Sequence, residues 1–135
     1  MDAADLADEL AIRRLLAEYC HCVDDGRFDD VVALFTPDGV FAFGSLGAEG
    51  RDALRTWFAE THPPEQRGKH LTTNTVVDLD GDRAHAVSDF AFLGLRDARL
   101  VPSVAGRYHD ELRRDDDGRW RIARRDAVPM ARPGT

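Results

Sequence analysis

Leu6, Leu10, Ile12, Leu15, Leu16 and Tyr19 recur three, four or one residue apart, which predicts an amphipathic helix from about residue 4 to 22. Glu9, Arg13, Arg14 and Glu18 fall mostly on its other side. Asp24-Asp25-Gly26 ends it, with Gly26 suited to the left-handed position past a helix end. A short helix over about 28–35 follows, and "TPDG" at 36–39 reads as a turn. "VFAFG" at 40–44 alternates as a short strand, and "SLGAEG" reads as a loop. Leu54, Trp57 and Phe58 predict a helix over 51–62, stopped by Pro63-Pro64.

The period then changes from 3.6 to 2. "KHLTTNTVVDL" and "RAHAVSDFAFLGL" read as strands joined by a hairpin turn at "DGD", 80–82. "RDARLVP" reads as a loop, "SVAGRYHDELRR" as a third long strand, "DDDG" at 115–118 as a turn, and "RWRIARRDAV" as the return. Helices first and hairpin-linked strands after them predict an α+β fold. A long curved sheet with three helices against it makes a half-barrel, whose concave interior is either filled by the helices or left as a pocket.

Composition narrows the function. A length of 135 residues suits a single domain with one core. The net charge of −7 argues against nucleic acid and anionic lipid as partners. There is no apolar run of spanning length, and the acidic start "MDAADLADEL" is unlike a signal peptide, so the expected location is cytoplasmic. Cys20 and Cys22, two apart in a helix, point to different faces and read as small buried hydrophobes. No metal motif is present: "DLDGD" is too short for a calcium loop, and the glycines of "GSLGAEG" lack P-loop spacing. No metal or cofactor is expected.

The candidate chemistry lies elsewhere. Of His21, His62, His70, His85 and His109, only His70 opens a strand, where alternation gathers His70, Thr72 and Asn74 on one face. His21, His62 and His85 read as structural or surface residues. Asp24 alone is a turn residue; paired with His70 it becomes the orienter of a base, fixing the imidazole tautomer and stabilising the imidazolium. No nucleophile motif accompanies the pair, so proton abstraction fits better than acyl transfer. Trp120 reads as core, and Arg125 as either a sheet-surface ion pair or a pocket arginine.

"AEYCHCVDDGRFDDVVALFTPDGVF", "EGRDALRTWF", "KHLTTNTVVDLDGDRAHAVSD" and "AGRYHDELRRDDDGRWRIARR" together resemble the SnoaL-like branch of the nuclear transport factor 2-like superfamily, over nearly the whole chain. Over a core of about residues 6–127, the resemblance implies an α+β, cone-shaped half-barrel of a curved antiparallel (mixed) sheet with three N-terminal helices enclosing a deep pocket. The pocket pattern is similar to those of scytalone dehydratase and hexachlorocyclohexane dehydrochlorinase, which place an Asp at the end of the first helix and a His at the start of a long strand. It implies Asp24, His70, Arg125 and Tyr19 as catalytic residues, and Phe41, Phe43 and Tyr108 as substrate-binding ones, with Trp57 and Asn74 expected beside them. The chain departs from the first pattern by having no second histidine in "SDFAFLGL". It departs from the second by carrying Tyr19 in place of a lysine. The expected function is a cofactor-independent, dehydratase-like lyase acting on a small hydrophobic cyclic or aromatic substrate. The rivals are an isomerase, a polyketide cyclase, and a non-catalytic ligand-binding module. A homo-oligomer, dimer or trimer through the sheet, is implied, with the tail "VPMARPGT" available to it.

Overall fold

The structure, a computed structural model, describes residues 1–130. The last five residues of the tail expected to assist assembly lie outside them. Helix α1 (Ala3–Asp24) starts with a capping box, in which Asp2 accepts from the Asp5 amide and Asp5 from the Asp2 amide. It ends as expected, with Gly26 in the left-handed region at φ 70°. Helix α2 (Phe28–Ala33) and helix α3 (Arg51–Thr61) complete the helical layer. The strands are β1 (Phe35–Phe43), β2 (Leu46–Glu49), β3 (Gly68–Asp80), β4 (Arg83–Arg96), β5 (Arg99–Arg114) and β6 (Trp120–Pro129). They form one sheet in the order β2-β1-β6-β5-β4-β3, antiparallel throughout except for β1 beside β6. The α+β cone is the observed architecture.

Three local expectations are corrected. "TPDG" is not a turn but the irregular middle of β1: the pairing with β6 slips between Phe35 and Val40, so a bulge absorbs Pro37 and Gly39. "SLGAEG" contributes β2, which pairs with β1 from Val40 to Phe43. "RDARLVP" holds only a two-residue turn, Asp97 and Ala98 at φ 49° and 61°, between two long strands.

The core lies between the helices and the concave sheet face. Ile12, Leu16, Tyr19 and Val23 of α1 are buried there with Leu54 and Phe58 of α3. β4 offers Ala84, Ala86 and Ser88 at successive inward positions, then Phe90, so small residues give way to an aromatic one along the strand. Cys20 and Cys22 are buried and free, and Cys20 Sγ lies 3.2 Å from Thr72 Oγ1, tying α1 to β3. Trp120 is buried, and its indole donates to Asp8. No helix among the described residues is long and apolar enough to cross a membrane.

Candidate active site

The site grows from the helix end that the sequence marks. Asp24 is the last residue of α1, and the tie to β3 aims its carboxylate at His70. β3 is an edge strand, so alternate amides have no sheet partner. The His70 amide is such a group, and it donates to Asp24 Oδ1 and Oδ2 at 3.1 and 3.0 Å. The His70 ring then turns its Nδ1 to Asp24 Oδ1 at 2.5 Å. A carboxylate can only accept, so Nδ1 carries the proton and Nε2 is left with its lone pair. The side chains are nearly buried, 11% exposed for His70 and 5% for Asp24.

The His70 ring lines a cavity of about 570 Å³, within the range of small-molecule pockets. Tyr19, Phe41, Phe43, Trp57, Phe90, Phe92 and Tyr108 line it, with His62 and His70 among them. Phe92 lies 4.7 Å from the His70 ring, centroid to centroid, and limits how it can tilt. Phe90 stacks on Tyr108 at 4.3 Å. Tyr19 and Tyr108 are held un-ionised because burial pushes both phenols well above their ordinary range. They can therefore donate a hydrogen bond without becoming phenolate. The rest of the wall is mostly apolar, with Thr61, Glu65, Gln66, Arg67, Arg96 and Ser103 as its further polar residues, so the pocket suits a flat, largely apolar ligand.

Two expected site residues lie elsewhere. Asn74 does not face the pocket. The β3–β4 pairing slips between Thr73 and Val76, Asn74 takes φ 54°, and its side chain turns outward to Asp89 at 3.0 Å. One extra residue reverses the inward alternation that began at His70. Arg125 is also absent from the cavity wall. It is fully buried behind the wall, with its guanidinium 4.4 Å from the Tyr19 ring centroid and 3.7 Å from that of Tyr108. Its Nε and Nη2 donate to the two oxygens of Asp110 at 2.8 and 2.9 Å. Burial works against its charge, but the Asp110 carboxylate outweighs that and holds the pKa above the ordinary arginine value. Arg125 thus lies against the two tyrosines, behind the cavity wall.

Two further residues emerge. Asp110 neutralises Arg125. Its signal was in the sequence, a carboxylate two residues from Tyr108 and two from Leu112 on one strand face. His62, expected to be structural, ends α3 and lines the pocket, its ring centroid 5.6 Å from that of His70. Burial and the neighbouring His70 push its pKa down to about 4.

This lowered pKa sets a pH dependence. The unfolded state binds the His62 proton at the ordinary value near 6.5, and the folded state only near 4. Stability from His62 is therefore complete above about pH 6.5 and is lost as the pH falls toward 4. Between pH 7 and pH 4.5, urea unfolding should show wild type losing about 1–2 kcal/mol more than His62→Gln. Equal losses would mean that His62 takes up its proton freely in the folded protein.

A family model described as a SnoaL-like domain matches residues 4–126 of this pocket-bearing chain. The chain belongs to the SnoaL-like family. A relative by sequence is the uncharacterized protein Rv2910c of Mycobacterium tuberculosis, 32% identical over 131 residues, which span 93% of this chain and 87% of the relative. Among solved structures, a variant of Rv3472, a protein of unknown function from the same organism, superposes with a TM-score of 0.90 at 32% identity. That match covers 98% of this chain and 79% of the other. An NTF2-like protein with a cystatin-like fold from Novosphingobium aromaticivorans gives a TM-score of 0.84 at 25% identity, over 99% and 92% of the two chains. The SnoaL-like domain here is thus an NTF2-like cone.

Proposed function

We propose that the protein is a cofactor-independent, dehydratase-like lyase that begins by taking a proton from carbon. The observation that carries this is the Asp24–His70 pair at the wall of an aromatic cavity. An aspartate that served only the strand edge would need the His70 amide and nothing more. The third bond, to Nδ1, does what base catalysis requires: it fixes the tautomer that bares Nε2 and stabilises the imidazolium as it forms. The room beside the pair argues against a polar plug in a pure binding module.

In the proposed step, His70 Nε2 takes a proton from the carbon next to an activating carbonyl or ring. The C–H electron pair becomes the new C=C bond, and the leaving group departs with its own pair. A departing hydroxide takes up the proton that the His70 imidazolium returns; a halide leaves as the anion, and the imidazolium releases its proton to water. Tyr19 offers a neutral hydrogen bond to the leaving group. An isomerase would share the first half and return the proton to another carbon of the substrate. The outer face of the sheet, where Leu71, Val76 and Val128 stand exposed, is the proposed surface for pairing into a homo-oligomer.

Deuterium wash-in tests the common first half without the true substrate. β-Tetralone in D₂O should exchange its activated C–H protons faster with wild type than with His70→Gln. Equal rates across a panel of cyclic ketones would remove proton abstraction from the account.

A further inference from the structure

His62 has a fixed hydrogen-bonding role that its position does not reveal until the neighbouring groups are assigned. Its Nδ1 lies 3.1 Å from the Phe58 carbonyl and 2.9 Å from Thr61 Oγ1. The Thr61 hydroxyl spends its only proton on the Trp57 carbonyl at 2.7 Å, so toward His62 it can only accept. Nδ1 is therefore the protonated nitrogen, and Nε2, on the other side of the ring, carries the lone pair. Nothing among the described residues hydrogen-bonds to that Nε2, and the ring lines the cavity. His70 is held in the same tautomer by Asp24. The ring centroids of the two histidines are 5.6 Å apart. One part of a mostly apolar pocket wall thus carries two acceptors side by side, and neither has a donor among the described residues.

We propose that His62 is a substrate-positioning and specificity-determining residue. Its Nε2 accepts a hydrogen bond from a hydroxyl of the bound molecule and so places the neighbouring C–H against His70. The substrate class narrows to hydroxylated cyclic or aromatic compounds, as against halogenated or plain hydrocarbon rings. Burial keeps the His62 imidazole uncharged at neutral pH, so it acts as an acceptor and leaves proton transfer to His70. The inference rests on the reading of His70 as the base, since the hydroxyl matters for chemistry only if it aligns a carbon with that nitrogen.

The test compares two probes of one shape, β-naphthol and naphthalene, by direct binding to the intact protein at neutral pH. Wild type should favour β-naphthol, and the ratio of the two Kd values should fall about three- to tenfold in His62→Phe, the worth of one neutral hydrogen bond. Naphthalene affinity should hold, which a merely structural loss would not allow. The same fall is expected of His62→Leu, so the result does not hang on how one variant folds. An unchanged ratio in either folded variant overturns the proposal, as does a wild type that binds neither probe. The two readings fail separately. Wash-in of deuterium without a His62-dependent hydroxyl preference sinks this inference and leaves the Asp24–His70 base standing. A His62-dependent preference without wash-in supports the acceptor and sinks the base.

Discussion

His70→Ala is expected to cost turnover about 10²–10⁴-fold, the range for loss of a positioned general base. The fold should survive. The His70 side chain makes one hydrogen bond, to Asp24, and its amide still donates to the same carboxylate after the change. The loss is one hydrogen bond plus some ring packing on Phe92, worth about 1–2 kcal/mol. Asp24→Asn should fall between wild type and His70→Ala in activity. Its amide oxygen can still accept from the backbone, but its NH₂ can face Nδ1 and favour the opposite tautomer. Turnover of an established substrate, beside circular dichroism and an unfolding curve for each variant, checks both. A folded His70→Ala that keeps full turnover excludes the dyad.

Asp110→Ala should produce the largest loss of stability. It leaves the Arg125 guanidinium fully buried between two aromatic rings without a counter-charge. Breaking a buried ion pair from one side typically costs about 3–5 kcal/mol. The cost falls on the pocket too, since Arg125 sets the Tyr19 and Tyr108 rings that form part of its wall. The Arg125 Nη1 atom already lacks a hydrogen-bond partner, so the site has no spare group to take over. The double variant Asp110→Ala with Arg125→Met removes both charges and should recover part of the loss, because a buried pair is replaced by apolar groups at little net cost. Urea unfolding of the wild type, the single variant and the double variant decides it. A single variant that loses under about 1 kcal/mol would show the charge escaping to water, contrary to its burial.

Much of this was legible in the chain, and the exceptions share one cause. The helices and hairpins follow from strong periodicity, and Asp24 was marked by the abrupt stop of an apolar helix beside a glycine. The partnership with His70 needed the tertiary fold and came from family resemblance. What escaped was parity. A bulge near Asn74 turned an expected pocket residue outward. A second slip, between Glu111 and Leu112, changes which residues of β6 face inward: Trp120 and Ile122 are buried, and then Arg125 and Ala127. Strict alternation from Ile122 would have placed Arg124 inside. A bulge is a property of two strands at once, so one strand's pattern cannot show it. His62 was missed for a related reason. Its helix ends where Pro63 turns the chain back toward β3, and only that return sets the ring beside His70.

The central claim is that Asp24 holds His70 with a bare Nε2 facing the cavity, and this can be observed without any substrate. Long-range ¹H–¹⁵N correlation of the His70 ring, at about pH 8.5 and so above the ordinary histidine range, reads the tautomer directly. A protonated Nδ1 and a pyridine-like Nε2 are expected in the wild type, with that preference lost in Asp24→Asn. A wild-type His70 protonated on Nε2, or a tautomer indifferent to Asp24→Asn, would contradict it.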